Sequence, residues 1–159
     1  MSARHPIIAV TGSSGAGTST VTRTFAQIFR REGIVAGIVE GDAFHRFNRG
    51  EMDQAMADAV SKGNQSCSHC GPDANLLHEL ESLFRQYGEN GTGMVRRYLH
   101  SEELATEFRQ LAGTFTEWAP LDEGTDLLFY EGLHGAVVTD KVDVARHPDL
   151  LVGVVPIIN

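Results

Sequence analysis

The sequence predicts an α/β fold in which helices cover a largely parallel sheet. Apolar strand-like runs alternate along the chain with segments of helical periodicity, a pattern that favours a parallel sheet over a helical bundle or a sandwich. The stretch Asp126–Gly132 is a continuous apolar run that ends in a carboxylate, which is typical of a central strand buried on both faces. Because 159 residues suit one core, we predict a single domain over residues 1–159.

The first half of the chain is predicted to contain two strands and two helices. Ile7–Val10 is the first strand, and apolar residues at i, i+4, i+7 and i+8 from Val21 give the next segment one apolar face, which ends near Gly33. Ile34–Glu40 is rich in β-branched residues and is predicted to be the second strand. A polar helix is expected over residues 50–61.

The second half is predicted to begin with a loop at residues 63–75. Leucines at helical spacing from Leu76 then predict a helix, which we expect Gly88 to end. The other predicted elements are a short strand at Met94–Leu99, a helix capped by Ser101 and lined by Leu104, Phe108 and Leu111, an irregular stretch at 112–125, and a buried strand at Leu150–Val154.

Composition narrows the classes of function. Lys and Arg total 13 against 21 Asp and Glu, so the net charge is −8 and no overall basic field attracts nucleic acid or an anionic membrane. No apolar run approaches the roughly 20 residues of a membrane span, and the N-terminal MSARHPII lacks the features of a secretory signal. We therefore expect a cytoplasmic protein with neither nucleic acid nor a membrane as partner.

Two cysteines, Cys67 and Cys70, have C-x-x-C spacing. One such pair is too few ligands for a structural zinc site, which needs four. We interpret them as reduced thiols in a loop, in keeping with a reducing compartment.

A glycine-rich loop, TGSSGAGTST (residues 11–20), directly follows the first predicted strand. Gly12 and Gly17 have the spacing of a GxxxxGK[ST] phosphate-binding loop, but Thr18 stands where that pattern has lysine. Backbone N–H groups and a helix N-terminus make most phosphate contacts in such loops, so binding survives this change while a cation near the transferring phosphoryl is lost. The predicted nucleotide-binding residues are Gly12, Ser13, Ser14, Gly15, Ala16, Gly17, Thr18, Ser19 and Thr20.

Two residues are candidates for Mg²⁺ binding. Ser19 supplies the hydroxyl that holds the ion in phosphate-binding loops, and Glu131 follows an apolar strand, where such folds place an acidic residue on the metal side. A solvated strand end is the alternative interpretation of Glu131.

Dinucleotide binding is an alternative function for the loop. Gly12, Gly15 and Gly17 resemble the glycine turn of a Rossmann unit, with Glu40 or Asp42 near the position of a ribose-binding acid. The pattern G-x-G-x-x-G would, however, need glycine at position 14. A further alternative is a module that binds MgATP but lacks the cation needed for turnover.

Three motifs in order, TGSSGAGTST, EGDAFHR and LLFYEGLHG, resemble those of bacterial phosphoribulokinases, which are P-loop kinases. The resemblance runs from Pro6 to Asn159 and implies MgATP-dependent phosphorylation of ribulose 5-phosphate in Calvin-cycle carbon fixation. It also implies NADH as an effector and assembly into homo-oligomers. Family members are longer and likewise have threonine for the lysine, with compensating basic residues after a motif like VGVVPIIN.

The resemblance assigns roles to residues outside the loop. Asp42 is implied to be the catalytic base for the sugar hydroxyl, with a turn or helix-cap aspartate as the alternative. His45 and Arg49, three and seven residues later, are implied to bind the sugar phosphate. Further candidates for that anion are Arg97, Tyr98, His100 and His134.

Overall fold

The structure is a computed structural model that describes residues 5–13, 15–62, 68 and 71–156. Ser14, both cysteines of the C-x-x-C pair and the last three residues therefore lie outside the described residues. The strands are β1 (Ile7–Gly12), β2 (Ala36–Glu40), β3 (Met94–Val95), β4 (Ala119–Pro120), β5 (Leu127–Gly132) and β6 (Leu150–Val154). The helices are α1 (Thr18–Glu32), α2 (Arg49–Ser61), α3 (Leu77–Asn90) and α4 (Glu102–Phe108).

Four parallel strands form the central sheet in the order β2-β5-β1-β6. Strand β5 separates β1 from β2, whereas the Rossmann order 3-2-1-4-5-6 places those two strands side by side. In register, Thr11 is opposite Gly132 and Glu40 is opposite Glu131. The sheet thus brings the glycine loop and two acidic residues to one edge. Strands β3 and β4 form a separate antiparallel pair.

The apolar run in β5 forms the centre of the core, as predicted. Its first four residues are at most 6% exposed, and they pack toward both faces of the sheet. On one face Leu128 and Tyr130 contact residues of α3 and Phe44. On the other face Leu127 and Phe129 contact the phenylalanines of α1. Helices therefore cover both faces, which confirms the predicted α/β class.

Local signals place three helix ends. Gly33 adopts a left-handed conformation after α1, as expected for a C-terminal glycine. Asn48 and Glu51 form a reciprocal capping box at the start of α2. Ser101 accepts a hydrogen bond from the Leu104 N–H at the start of α4, which confirms the predicted cap.

Several predicted boundaries were wrong. Helix α3 continues through Gly88 and ends before Gly91, which supplies the left-handed residue. Strand β2 begins two residues later than predicted, because the Ile34 N–H still bonds the Phe29 carbonyl of α1. Strand β3 has only two residues, and α4 ends before Leu111, which is 77% exposed.

Strand β6 is less buried than its sequence predicts. Leu150 and Leu151 are 46% and 40% exposed. Among the described strands, β6 pairs only with β1, so it lies at an edge where apolar side chains keep access to solvent. None of the described helices has the length and apolar character that a membrane crossing requires.

Candidate active site

The glycine loop joins the end of β1 to the start of α1. Gly15 and Gly17 have positive φ angles of 80° and 99°, which residues with a Cβ rarely adopt. The Ala16 N–H donates to the Ser13 carbonyl at 3.0 Å and closes the turn. No side chain caps the α1 N-terminus among the described residues, and its first turn contains no acidic residue. The loop and helix therefore present backbone N–H groups to an anion.

A cleft of about 580 Å³ lies at the carboxyl ends of β1, β2 and β5. Its position agrees with the rule that ligands of open α/β sheets bind outside the carboxyl ends of the strands. It combines residues from the loop, the two acidic strand ends and two histidines. The lining residues are Gly12, Ser13, Gly15, Thr18, Ser19, Glu40, Gly41, Asp42, His45, His100, Glu131, Gly132 and Leu133.

The two residues predicted to bind Mg²⁺ line this cleft together. Ser19 is exposed at the start of α1, and Glu131 is half-buried at the end of β5. Glu40 also lines the cleft beside Glu131, although the sequence suggested it only for a ribose. The described residues contain no cluster of three or more metal-ligating side chains. Mg²⁺ in phosphotransfer sites uses one or two carboxylates with waters and substrate phosphates, so this donor set fits the ion.

Asp42 lies in a 3₁₀ turn, Gly41–Phe44, directly after β2. Its Oδ1 is 3.3 Å from His45 Nε2, and its side chain remains 68% exposed. The hydrogen bond from His45 holds the pKa of the Asp42 carboxyl below its ordinary value, and the charges of His45, His100 and His134 add to this effect against the cost of burial. Asp42 is therefore ionised at neutral pH and can accept a hydrogen bond from a hydroxyl.

A second pocket of about 160 Å³ adjoins the cleft through His45, which lines both. Arg49 and Tyr98 also line it, and the Arg49 guanidinium donates to the His100 carbonyl at 3.2 Å. The structure thus brings together four of the residues suggested for a sugar phosphate, although two pairs of them are about 50 residues apart in sequence. The other lining residues are Phe47, Asn48, Met52, Asp53 and Ala74.

Other predicted site residues line neither pocket. Arg97 is exposed, with its guanidinium 5.8 Å from the Phe108 ring centre. His134 is 8% exposed, and its backbone N–H donates to the Tyr130 hydroxyl at 3.3 Å. It affects the site through the pKa of Asp42. The loop residues outside both linings are Ala16, Gly17 and Thr20.

Two residues next to the site were missed by the sequence analysis. Asn75 is 1% exposed, and its Oδ1 lies 2.9 Å from His45 Nδ1. Arg96 donates to the carbonyls of Ala43 and His45 at 2.8 and 2.6 Å. Asn75 lies in a stretch of loop composition, and Arg96 is adjacent to another arginine, so only the folded arrangement distinguishes them.

Replacing Arg96 is expected to lower the free energy of unfolding. Its guanidinium lies 3.7 Å from the Phe115 ring centre and 4.8 Å from that of Trp118. The two carbonyls that it bonds are therefore poorly solvated once this donor is removed. Arg96→Met removes both charge-assisted hydrogen bonds, and we expect a loss of about 2 kcal/mol in urea unfolding. Arg97→Met is the matched control, with an expected change within about 0.5 kcal/mol. Equal losses in both variants would show that the hydrogen bonds of Arg96 to the carbonyls of Ala43 and His45 do not stabilise the fold.

Comparison with known proteins identifies the family. A sequence profile of the Phosphoribulokinase / Uridine kinase family matches residues 7–159. The chain belongs to this family. Membership confirms the resemblance seen in the three motifs, and it favours a P-loop kinase over the dinucleotide-binding alternative, in agreement with the strand order.

Curated relatives in this family include bacterial phosphoribulokinases. The chain is 63% identical over 159 residues to the chromosomal phosphoribulokinase of Cupriavidus necator, covering 100% of this chain and 54% of that protein. It is 60% identical over 156 residues to the phosphoribulokinase of Nitrobacter vulgaris, covering 98% and 54%. The chain thus spans about half the length of the curated relatives it matches.

Solved structures agree with the family assignment. The phosphoribulokinase from Rhodobacter spheroides matches with a TM-score of 0.86 and 50% identity, covering 97% of this chain and 52% of the other. A possible uridine kinase from Bacillus stearothermophilus matches with a TM-score of 0.63 at 14% identity, which supports the fold alone. The predicted P-loop kinase fold is thereby confirmed.

Proposed function

We propose that this chain carries, in one domain, the MgATP and sugar-phosphate sites of a phosphoribulokinase that converts ribulose 5-phosphate to ribulose 1,5-bisphosphate. The observation that carries the proposal is the position of Asp42, whose carboxylate lies in the cleft of the glycine loop while its partner His45 also lines the second pocket. A hydroxyl at this junction would lie between a phosphate donor and a basic pocket. Family membership supports the same reaction class.

In the proposed reaction, residues 12–20 hold the ATP phosphates through backbone N–H groups at the start of α1. Ser19 and Glu131 would hold Mg²⁺, which neutralises charge on the β- and γ-phosphates. Arg49 and His45 bind the sugar phosphate, Arg49 through guanidinium N–H groups that donate to phosphate oxygens and His45 through the positive charge of its ring. The other residues proposed to contribute to that site are Arg97, Tyr98, His100 and His134.

Asp42 then accepts the proton of the sugar 1-hydroxyl. The hydroxyl oxygen forms the new bond to the γ-phosphorus, the bond from that phosphorus to the β-phosphate oxygen breaks, and ADP leaves. Thr18 supplies no charge, so a cation from another part of the protein must stabilise the transferring group. We further propose that NADH is an effector of the protein, that it forms homo-oligomers in the cytoplasm, and that it acts in the Calvin cycle.

The test is ADP release from MgATP by the full natural chain, with ribulose 5-phosphate, uridine or no acceptor. Release that depends on ribulose 5-phosphate supports the proposal, and release with uridine alone contradicts it. The same assay on residues 1–159 decides between two outcomes. Turnover would show that residues 1–159 contain the whole reaction site. MgATP binding without turnover would favour the alternative of a nucleotide-binding module, which the presence of Thr18 in place of the loop lysine supports.

Glu131→Gln is expected to raise the Mg²⁺ concentration required for half-maximal nucleotide binding. The amide keeps the shape of the side chain but loses its charge, and we expect a shift of at least about 10-fold, as found even for residues that only support metal ligands. Glu123→Gln, an exposed change of equal charge in the loop before β5, is the control. Equal Mg²⁺ dependence in both variants, measured by titration with a fluorescent ATP analogue, would contradict the metal assignment.

A further inference from the structure

Three side chains connect the cleft with the protein interior. Asp42 Oδ1 lies 3.3 Å from His45 Nε2, and His45 Nδ1 lies 2.9 Å from Asn75 Oδ1. The backbone holds this arrangement, because the Arg46 N–H donates to the Ala74 carbonyl at 2.8 Å and the Leu76 N–H donates to the Phe44 carbonyl at 2.7 Å. The segments that carry His45 and Asn75 are therefore fixed side by side.

The hydrogen bonds of Asn75 determine which atom faces His45. The Asn75 amide nitrogen donates to the Gly71 carbonyl at 2.8 Å, so its oxygen must be the atom next to His45 Nδ1. An amide oxygen only accepts, and therefore Nδ1 carries a hydrogen. The ionised Asp42 carboxylate also only accepts, and therefore Nε2 carries a hydrogen as well. A histidine with both ring nitrogens protonated is an imidazolium.

We propose that Asn75 is a positioning residue that orients the His45 ring and keeps it protonated, so that a cation faces Asp42 and the second pocket. Asn75 itself touches no substrate in this scheme. The catalytic consequence rests on the function proposed above, whereas the protonation state of His45 does not. The imidazolium holds Asp42 Oδ1, which leaves Oδ2 as the oxygen for the sugar hydroxyl.

Some of the groups around His45 raise its pKa and others lower it. The hydrogen bond that His45 donates to Asp42 raises the pKa of His45, and the bond to Asn75 and the Asp42 charge add to this, while burial and the Arg96 charge oppose it. The cation therefore persists above the ordinary value of 6.5 and is lost as the pH rises through the raised pKa. Among the described residues, the other charged or titratable side chains that line the same pocket are Arg49, Asp53 and Tyr98, and His100 lines the adjoining cleft.

Nitrogen NMR of the full natural chain, labelled with ¹⁵N-histidine and free of substrate, tests the proposal. A His45→Gln spectrum assigns the His45 signals. We expect both ring nitrogens of wild-type His45 to be protonated at pH 6.5. In Asn75→Leu the titration midpoint should fall by about one unit or more, a tenfold change in the protonation equilibrium. Asn75→Asp, which retains an acceptor, should keep the midpoint at or above that of the wild type.

Three results would overturn the proposal: a neutral wild-type ring at pH 6.5, an unchanged midpoint in folded Asn75→Leu, or a lower midpoint in Asn75→Asp. Because Asn75 is buried, Asn75→Leu could fail to fold, and the other two spectra then decide. In kinetics, the alkaline limb of kcat should move to lower pH in Asn75→Leu and not in Asn75→Asp, with KM for ATP unchanged. Absence of ribulose 5-phosphate turnover would refute the proposed function while the NMR result stands.

Discussion

Asp42→Asn is expected to lower kcat for ribulose 5-phosphate phosphorylation by about 10²–10⁴-fold, the usual contribution of a general base. The amide keeps the size of the side chain and can still contact His45, but it cannot take the proton of the sugar hydroxyl. The phosphate-binding loop is a separate segment, so KM for MgATP should change little. Coupled measurement of ADP release by the full natural chain gives both parameters.

The matched control for this variant is Asp122→Asn. Asp122 is exposed in the loop between β4 and β5 and lines neither pocket, so the substitution changes net charge equally without touching the site. We expect it to retain wild-type kinetics. If Asp42→Asn kept kcat within about threefold of the control, Asp42 would not be the proton acceptor, and the proposed mechanism would have to be abandoned.

Gly41→Ala is expected to destabilise the fold at the cleft. A Cβ at this position would lie 2.6 Å from the Tyr130 hydroxyl, 2.8 Å from the Gly132 Cα and 3.2 Å from the Glu131 carbonyl. Two of these contacts are with backbone, which cannot rotate away, so the turn after β2 and the end of β5 must separate where they carry Asp42 and Glu131. We expect a loss of about 1–3 kcal/mol in the free energy of unfolding, together with reduced turnover.

Gly50→Ala is a control for which we expect the free energy of unfolding to change in the opposite direction. Gly50 lies in the first turn of α2, and an added Cβ would come no closer than 3.7 Å to another side chain. Alanine in a helix should raise the free energy of unfolding by up to about 1 kcal/mol. Urea denaturation of both variants measures the difference. A Gly41→Ala protein as stable as Gly50→Ala would show that the strands tolerate the added methyl group.

Removing the Tyr130 hydroxyl distinguishes the clash of the added methyl group with this side chain from its clash with the backbone at Gly132. Tyr130→Phe in the Gly41→Ala background relieves the 2.6 Å contact but leaves the 2.8 Å contact with Gly132. The hydroxyl also accepts a hydrogen bond from the His134 N–H, so Tyr130→Phe alone is the reference, and relative to it we expect the cost of Gly41→Ala to be only partly relieved. Full recovery would assign the whole effect to Tyr130.

The local order of residues was sufficient to predict several parts of the fold. The apolar run of β5, the apolar face of α1 and the cap at Ser101 depend on neighbours within a few positions, and the structure confirms them except for Ile28 of α1, which is 38% exposed. The glycine spacing of the loop depends on backbone conformation alone and also predicted its place between β1 and α1. The predicted ends of helices and strands were wrong where a long-range contact or the backbone conformation sets the actual end, as in the continuation of α3 through Gly88.

The arrangement of the site depended on contacts between segments far apart in sequence. Only the insertion of β5 between β1 and β2 brings Glu131 beside Glu40 and opens the cleft next to Asp42. The pairing of His45 with Asn75 joins residues 30 positions apart, and no periodicity or motif encodes it. Sequence by itself therefore determined the fold class, the family motifs and the loop chemistry, since these follow from short-range patterns. Tertiary structure decided the strand order, the two adjoining pockets and the hydrogen-bond partners of His45, because these depend on packing between segments far apart in sequence.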